Sequence, residues 1–220
     1  DAMKLENKTV VFLGDSITAG SSATSDDRVF HALLKEETGM KEVVNLGAGG
    51  TRIARQKTPS EEAIYDDDFN LRYDRFRKCG DIIFVFGGTN DFGHGEAPIG
   101  KYDDETVYTF CGALNVLLKK AICDYGNENV ILITPLHRVG ENNPRGEGRK
   151  AEDGETLSEY VKAEKAVAEK LGVKVIDLWN EPRLNPNDEK NKNLFADGLH
   201  PNDEGHKLLA DILKDKISKL

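Results

Sequence analysis

Short apolar runs recur along the chain, separated by longer amphipathic stretches. Thr9–Leu13 (TVVFL) is rich in β-branched residues and stops at Gly14. Glu42–Leu46 (EVVNL), Asp81–Phe86 (DIIFVF), Asn129–Thr134 (NVILIT) and Val173–Leu178 (VKVIDL) have the same character. These runs are nearly continuous rather than alternating, the pattern of strands whose two faces are both covered by helices. Between them lie helical patterns: Arg28–Thr38 closed by Gly39, Asp104–Tyr125 closed by Gly126, Thr156–Leu171 closed by Gly172, and Asp203–Leu220 after a Pro-Asn start. Glycine just past a helix is a common terminator because it enters the left-handed region freely. Strands alternating with helices imply βαβ units and a parallel sheet. The expected fold is therefore α/β, a three-layer α/β/α sandwich on a mostly parallel five-stranded sheet, flavodoxin-like in outline.

Two stretches break the rhythm. Residues 52–78 are polar and carry the acidic run Asp66-Asp67-Asp68, and read as a surface excursion with short helical turns. Residues 138–154 (RVGENNPRGEGRKAEDG) form a long loop after the fourth strand; loops of that length are usually mobile or functional. No repeat or linker divides the 220 residues, so one domain over 1–220 is expected, with 1–8 as an N-terminal lead-in and the residues before Met3 an added remnant.

Composition narrows the partners. A net charge of −9 disfavours nucleic acid or an anionic membrane as main partner, since phosphate contacts need clustered Lys and Arg. The three cysteines, Cys79, Cys111 and Cys123, make no CxxC pair and read as free thiols packed as small hydrophobes. No apolar run approaches the roughly 20 residues of a bilayer span, and Val10–Leu13 is too short for a signal-peptide core. No stable membrane insertion and a cytoplasmic location are the expectations.

In open parallel sheets, ligands bind beyond the carboxyl ends of the strands. Those ends carry Gly14-Asp15-Ser16-Ile17-Thr18, then Asn45-Leu46-Gly47-Ala48-Gly49-Gly50-Thr51, then Gly87-Gly88-Thr89-Asn90-Asp91. Asp197-Gly198-Leu199-His200-Pro201 lies just before the last helix. Singly, each is weak: Gly-Asp-Ser alone reads best as a strand-to-helix turn with an Asp or Ser N-cap. Together, in this order, they supply complementary parts of one reaction.

With these four blocks the sequence resembles the SGNH hydrolase superfamily of GDSL-type esterases and lipases. The resemblance spans Gly14 to Pro201 and implies Ser16 as nucleophile with Asp197 and His200 completing a triad. It implies an oxyanion hole from the Ser16 and Gly50 backbone N–H groups and the Asn90 amide; Gly47 and Gly49 lie close enough to compete for the glycine's place. The chemistry fits those residue types. A serine hydroxyl needs a base to take its proton, and an imidazole needs a carboxylate to fix its tautomer. Loss of one oxyanion donor typically costs about 10²–10³ in kcat.

Further candidates are Asp15, expected to hold the nucleophile turn, and His137 and Arg52, possible substrate contacts. His94 reads as a solvated loop residue, and His31 and His206 as structural. The Gly47–Gly50 stretch lacks both GxGxxG and the Lys-Ser/Thr of a P-loop. No metal or cofactor is called for.

The expected activity is hydrolysis of a carboxylic ester through an acyl-enzyme. Polar loops bearing Arg52, Arg55, His137, Arg138 and Asn142 favour acetyl removal from a carbohydrate or other polar ester. The alternatives are a lysophospholipase or acyl-CoA thioesterase of the same fold. A non-catalytic carbohydrate-binding protein or a nucleotide binder fits the intact blocks less well.

Overall fold

A computed structural model of the chain describes residues 2–220. Five parallel strands form one sheet in the order β2-β1-β3-β4-β5: β1 Thr9–Gly14, β2 Glu42–Gly47, β3 Ile82–Phe86, β4 Val130–Ile133 and β5 Lys174–Ile176. The helices that position the site are α1 Ser16–Ala19, α2 Phe30–Thr38, α3 Phe69–Phe76, α4 Thr89–His94, α5 Phe110–Tyr125, α6 Leu157–Leu171 and α7 Asp203–Ile217.

The continuous apolar runs resolve into two faces. Val11 and Leu13 of β1, Ile83 and Val85 of β3, and Val130 and Leu132 of β4 join one core with residues of α3, α5 and α6. Val10, Phe12, Ile82, Phe84, Ile131 and Ile133 join the other, packed with α2 and α7. Successive side chains of a strand point to opposite faces, so helices on both sides demand an apolar residue at every position. Phe12 stacks on Phe84 with ring centroids 5.0 Å apart, anchoring the second face at the sheet centre.

Chain order reverses at β1: the chain runs outward to β2 and then returns to β3 on the other side. Such a reversal opens a crevice at the carboxyl ends of the two strands. The register aligns those ends, with Gly14 of β1 opposite both Gly47 of β2 and Phe86 of β3. Three of the four motif blocks therefore leave the sheet from one line.

The structure departs from the sequence pattern in three places. The helix expected from Asp104 begins only at Phe110, because Asp104 Oδ2 accepts from the Lys101 N–H and the Thr109 hydroxyl and folds that segment into a turn. Thr109 then caps α5 through Gly112 N–H. The fifth strand is short, and its continuation is held instead by Leu178 and Trp179 N–H groups donating to Thr134 Oγ1 at 2.9 and 3.0 Å. Residues 52–78 are no simple surface excursion. They contain α3, started by Asp68, whose side chain accepts from Leu71 N–H, and anchored by fully buried Phe69 and Tyr73.

The loop 138–154 is folded down against α4. Glu147 N–H donates to the Gly93 carbonyl at 2.8 Å, and Gly154 N–H to the Pro144 carbonyl at 2.7 Å. Gly146 packs directly on the Phe92 and Gly93 carbonyls, where a Cβ would collide. Of the cysteines, Cys111 is buried, Cys79 half-buried and Cys123 exposed. Among the described residues no helix is long and apolar enough to cross a membrane.

Candidate active site

The first turn after β1 is built around Asp15. Its Oδ1 accepts the Ile17 N–H at 3.0 Å and starts the four-residue α1, which presents Ser16 at the sheet edge. Gly14 and Gly47 let that turn sit against the neighbouring strand ends: a Cβ on Gly14 would strike Thr18, and one on Gly47 the backbone of Ala19. Arg72 of α3 reaches beneath, donating to the Gly14 carbonyl of β1 and the Leu46 carbonyl of β2. It is 4% exposed, and burial pulls its guanidinium down to about 10, so it stays charged at neutral pH.

Ser16 Oγ lies 2.8 Å from His200 Nε2, and His200 Nδ1 lies 2.6 Å from Asp197 Oδ2. Asp197 also accepts the N–H groups of Leu199 and His200 through Oδ1, at 3.1 and 2.8 Å. These bonds and the charge of His200 outweigh partial burial and hold its carboxyl below the usual range. A bridge between Phe195 and Pro201 closes this loop, and the Ala196 N–H donates to the His200 carbonyl at 2.9 Å. Asp197 and His200 are therefore held in one tight bend ahead of α7.

Asn90 sits in the first turn of α4 and donates one amide hydrogen to the Thr51 carbonyl at 3.1 Å. A side-chain amide has two such hydrogens, so one remains. Asp91 beside it accepts the N–H groups of Ile53 and Ala54 at 2.9 and 3.0 Å, tying the segment after Gly50 to α4. Gly50 has φ +74°, and a Cβ there would collide with the Tyr65 ring, so glycine is required twice over. Among the described residues, neither the Ser16 nor the Gly50 N–H finds an acceptor.

Ser16, Gly50, Asn90 and His200 line one cleft of about 400 Å³, together with Ser21, Gly49, Tyr65, His94, Glu147, Arg149 and Leu199. Asp15 lies below it, buried, with its carboxyl pushed up to about 6 chiefly by burial. Two sequence candidates are not brought to the cleft wall. His137 stacks on Trp179 at 3.5 Å between ring centroids, and its Nδ1 meets Glu141 at 2.8 Å. Arg52 is 3% exposed, its guanidinium bound to Asp66, Ser60, the Tyr65 carbonyl and His94. His94, read from sequence as a solvated loop residue, instead packs against Tyr65 at 4.9 Å and lines the cleft. Burial lowers it to about 4, so its ring is neutral at pH 7. His31 and His206 are buried against Phe30, bonded to the Thr18 carbonyl and the Phe30 N–H respectively.

Tyr65, Glu147 and Arg149 went unnoticed in the sequence. They come from the two stretches without periodicity, where only the length of the loop 138–154 hinted at a role.

A hydroxyl, an imidazole and a carboxylate in hydrogen-bonded series, beside unpaired N–H donors on an α/β sheet edge, define the class of serine acyl hydrolases. The sequence profile of the GDSL-like Lipase/Acylhydrolase family matches residues 12–208, and the chain belongs to that family. No curated protein sequence matches it significantly. Among solved structures, a protein from Lactobacillus plantarum is similar at 27% identity and TM-score 0.81, with 97% of this chain and 98% of that one covered. A lipase/acylhydrolase from Enterococcus faecalis shares the fold at 23% identity and TM-score 0.64, covering 99% and 96%. The acetyl xylan esterase AlAXEase does so at 23% identity and TM-score 0.65, covering 94% and 98%.

Proposed function

We propose that the chain, acting as one domain over residues 1–220, is a serine esterase that removes short acyl groups, acetyl foremost, from a carbohydrate or other polar ester. The observation that carries this reading is the Ser16–His200–Asp197 series opening onto a cleft whose only sizeable apolar surfaces are Tyr65 and Leu199.

His200 Nε2 takes the Ser16 proton as Oγ attacks the ester carbonyl carbon. Asp197 holds Nδ1–H and stabilises the imidazolium that forms. The oxygen that becomes negative is received by the N–H groups of Ser16 and Gly50 and the second amide hydrogen of Asn90. His200 then returns the proton to the departing alcohol, and the C–O bond breaks to leave an acyl-Ser16. Water, deprotonated by the same imidazole, releases the acid and restores the hydroxyl.

Support for a short acyl group comes from what lies behind the nucleophile. The small space beneath it, lined by Ile17, Phe86, Pro135, Leu136 and Leu199 together with Asp15, Gly87 and Thr89, holds only about 10 Å³, too little for a methylene chain. Support for a polar alcohol comes from Ser21, His94, Glu147 and Arg149 around the rim. Rates on p-nitrophenyl esters from acetate to palmitate, beside acetylated monosaccharides, test the reading. Acetate is expected to be the best acyl group, with acetate released from the sugars. A maximum at long chains, or turnover of lysophospholipid in preference to sugar esters, would overturn it in favour of a lipid substrate.

A further inference from the structure

The cleft at Ser16 is the smallest of three adjoining depressions. A second, of about 540 Å³, shares Tyr65, His94 and Arg149 with it. A third, of about 800 Å³, shares Glu96, Ala97 and Pro98 with the second and is floored by Lys150 and Tyr160. Pockets of roughly 300–1,000 Å³ each accommodate a drug-sized ligand. Three in a row exceed the needs of an acetyl group on one sugar.

Their lining is selective. Tyr108 in the second depression and Tyr102 in the third are 40% and 45% exposed, so a large part of each side chain remains uncovered by the protein. Pyranose rings carry C–H groups on their faces and hydroxyls on their edges, and stack on such aromatic surfaces. At the floor of the third depression Lys150 is 4% exposed and, among the described residues, pairs with no carboxylate, its ammonium donating only to the Tyr160 hydroxyl at 3.3 Å. The ammonium also lies 5.7 and 5.4 Å from the Phe92 and Tyr160 ring centroids, so only one of its three donors meets an oxygen among the described residues.

Charge narrows the ligand. In the second depression Arg52 and Arg55 are already paired with Asp66 and Asp68. In the third, Glu96, Glu152, Asp153, Glu155 and Glu159 surround Lys150. The carboxylates of the third depression turn a polyanion away from it, and the apolar faces of the second, from Tyr65, Tyr108, Pro59, Ala97 and Pro98, suit the C–H faces of a sugar ring.

We propose that the second and third depressions are subsites for a neutral oligosaccharide chain bearing the ester, with Tyr108 and Tyr102 as stacking platforms and Lys150 as a hydroxyl donor. The proposal rests on the carbohydrate-ester reading above and extends it from a sugar to a chain.

The test is acetate release from O-acetylated cello- and xylo-oligosaccharides, from the monosaccharide to the hexasaccharide. The expected kcat/KM rises with chain length in the wild type. Tyr108→Ala and Tyr102→Ala each lower the hexasaccharide value by about 5- to 10-fold, the worth of one aromatic contact. Both variants keep wild-type kcat/KM on p-nitrophenyl acetate. A flat dependence on length in an enzyme that deacetylates monosaccharides overturns the subsites and leaves the carbohydrate reading standing. Equal losses on p-nitrophenyl acetate and hexasaccharide overturn them too, as damage to the fold. Hydrolysis of p-nitrophenyl acetate with no acetate released from any sugar overturns both.

Discussion

Two sets of carboxyl groups surround Ser16, the proposed nucleophile, one at the rim of the cleft and one in its floor, and they are held in opposite ways. Asp197 at the rim has a side chain about half exposed at 53%, lies in a short bend, and sits below the usual carboxylate range because three donors face it. Asp15 and Asp91 in the floor are 3% exposed and pushed up to about 6 by burial, although each accepts backbone N–H groups. Glu164 of α6, fully buried behind Gly88 with neither oxygen bonded, is raised well above its ordinary value. The rim group is placed to stabilise a transient positive charge on a neighbour. The floor groups tie chain segments together or sit neutral among them. On the proposed mechanism these carboxyls divide into chemistry and scaffold by exposure and by what their oxygens receive.

The largest expected effect that would break this division is at the rim. Asp197→Asn should lower kcat by a factor on the order of 10⁴, through the wrong imidazole tautomer, with an unchanged melting temperature. An equal fall in thermal stability would make Asp197 scaffold instead. Next comes the floor. Asp91→Ala strands the Ile53 and Ala54 N–H groups, and leaving a buried donor unpaired costs about 1–3 kcal/mol each. Chemical denaturation should show a loss of about 2–6 kcal/mol. Full stability with lost activity would move Asp91 to the chemistry.

The smallest effect sharpens the comparison through pH. Burial raises the folded Glu164 carboxyl well above its ordinary value, which it regains on unfolding. Its stabilising contribution is therefore complete below about pH 4.5 and is lost as pH rises toward the folded value. Glu164→Gln should match the wild type near pH 4 and exceed it increasingly above, by about 1.4 kcal/mol per pH unit while the folded carboxyl stays protonated. Denaturation curves at several pH values measure this, and parallel behaviour of the two proteins would show Glu164 to be charged.

The same contrast explains what the sequence made legible. That Ser16, Gly50, Asn90 and His200 meet at one cleft, with Asp197 bonded to His200, is legible because each lies in a short block at a strand end or helix start, and the sheet register alone brings three of the blocks together. The five strands are readable because both faces of the sheet are apolar. Arg72 was not, since nothing local distinguishes an arginine that will bind the carbonyls of two strand ends from one facing solvent. It also placed a charge on the buried face of α3 and hid that helix inside a polar stretch. His137 and Arg52 follow strand ends and so read as candidates for substrate; in the folded chain His137 stacks on Trp179 and meets Glu141, and Arg52 pairs with Asp66 in the wall of the second depression instead of the cleft at Ser16. Which partner each side chain takes depends on how the loops around it fold, and neither loop has a periodic pattern to read.

The central claim, that Ser16 becomes the acyl carrier, is tested most directly by covalent capture. A fluorophosphonate should add to the protein in a single equivalent, and peptide mass mapping should place it on Ser16. Prior incubation with p-nitrophenyl acetate should slow the labelling, and the His200→Ala protein should label far more slowly. Modification of any other residue, or unaltered labelling of the Ser16→Ala protein, would contradict the account.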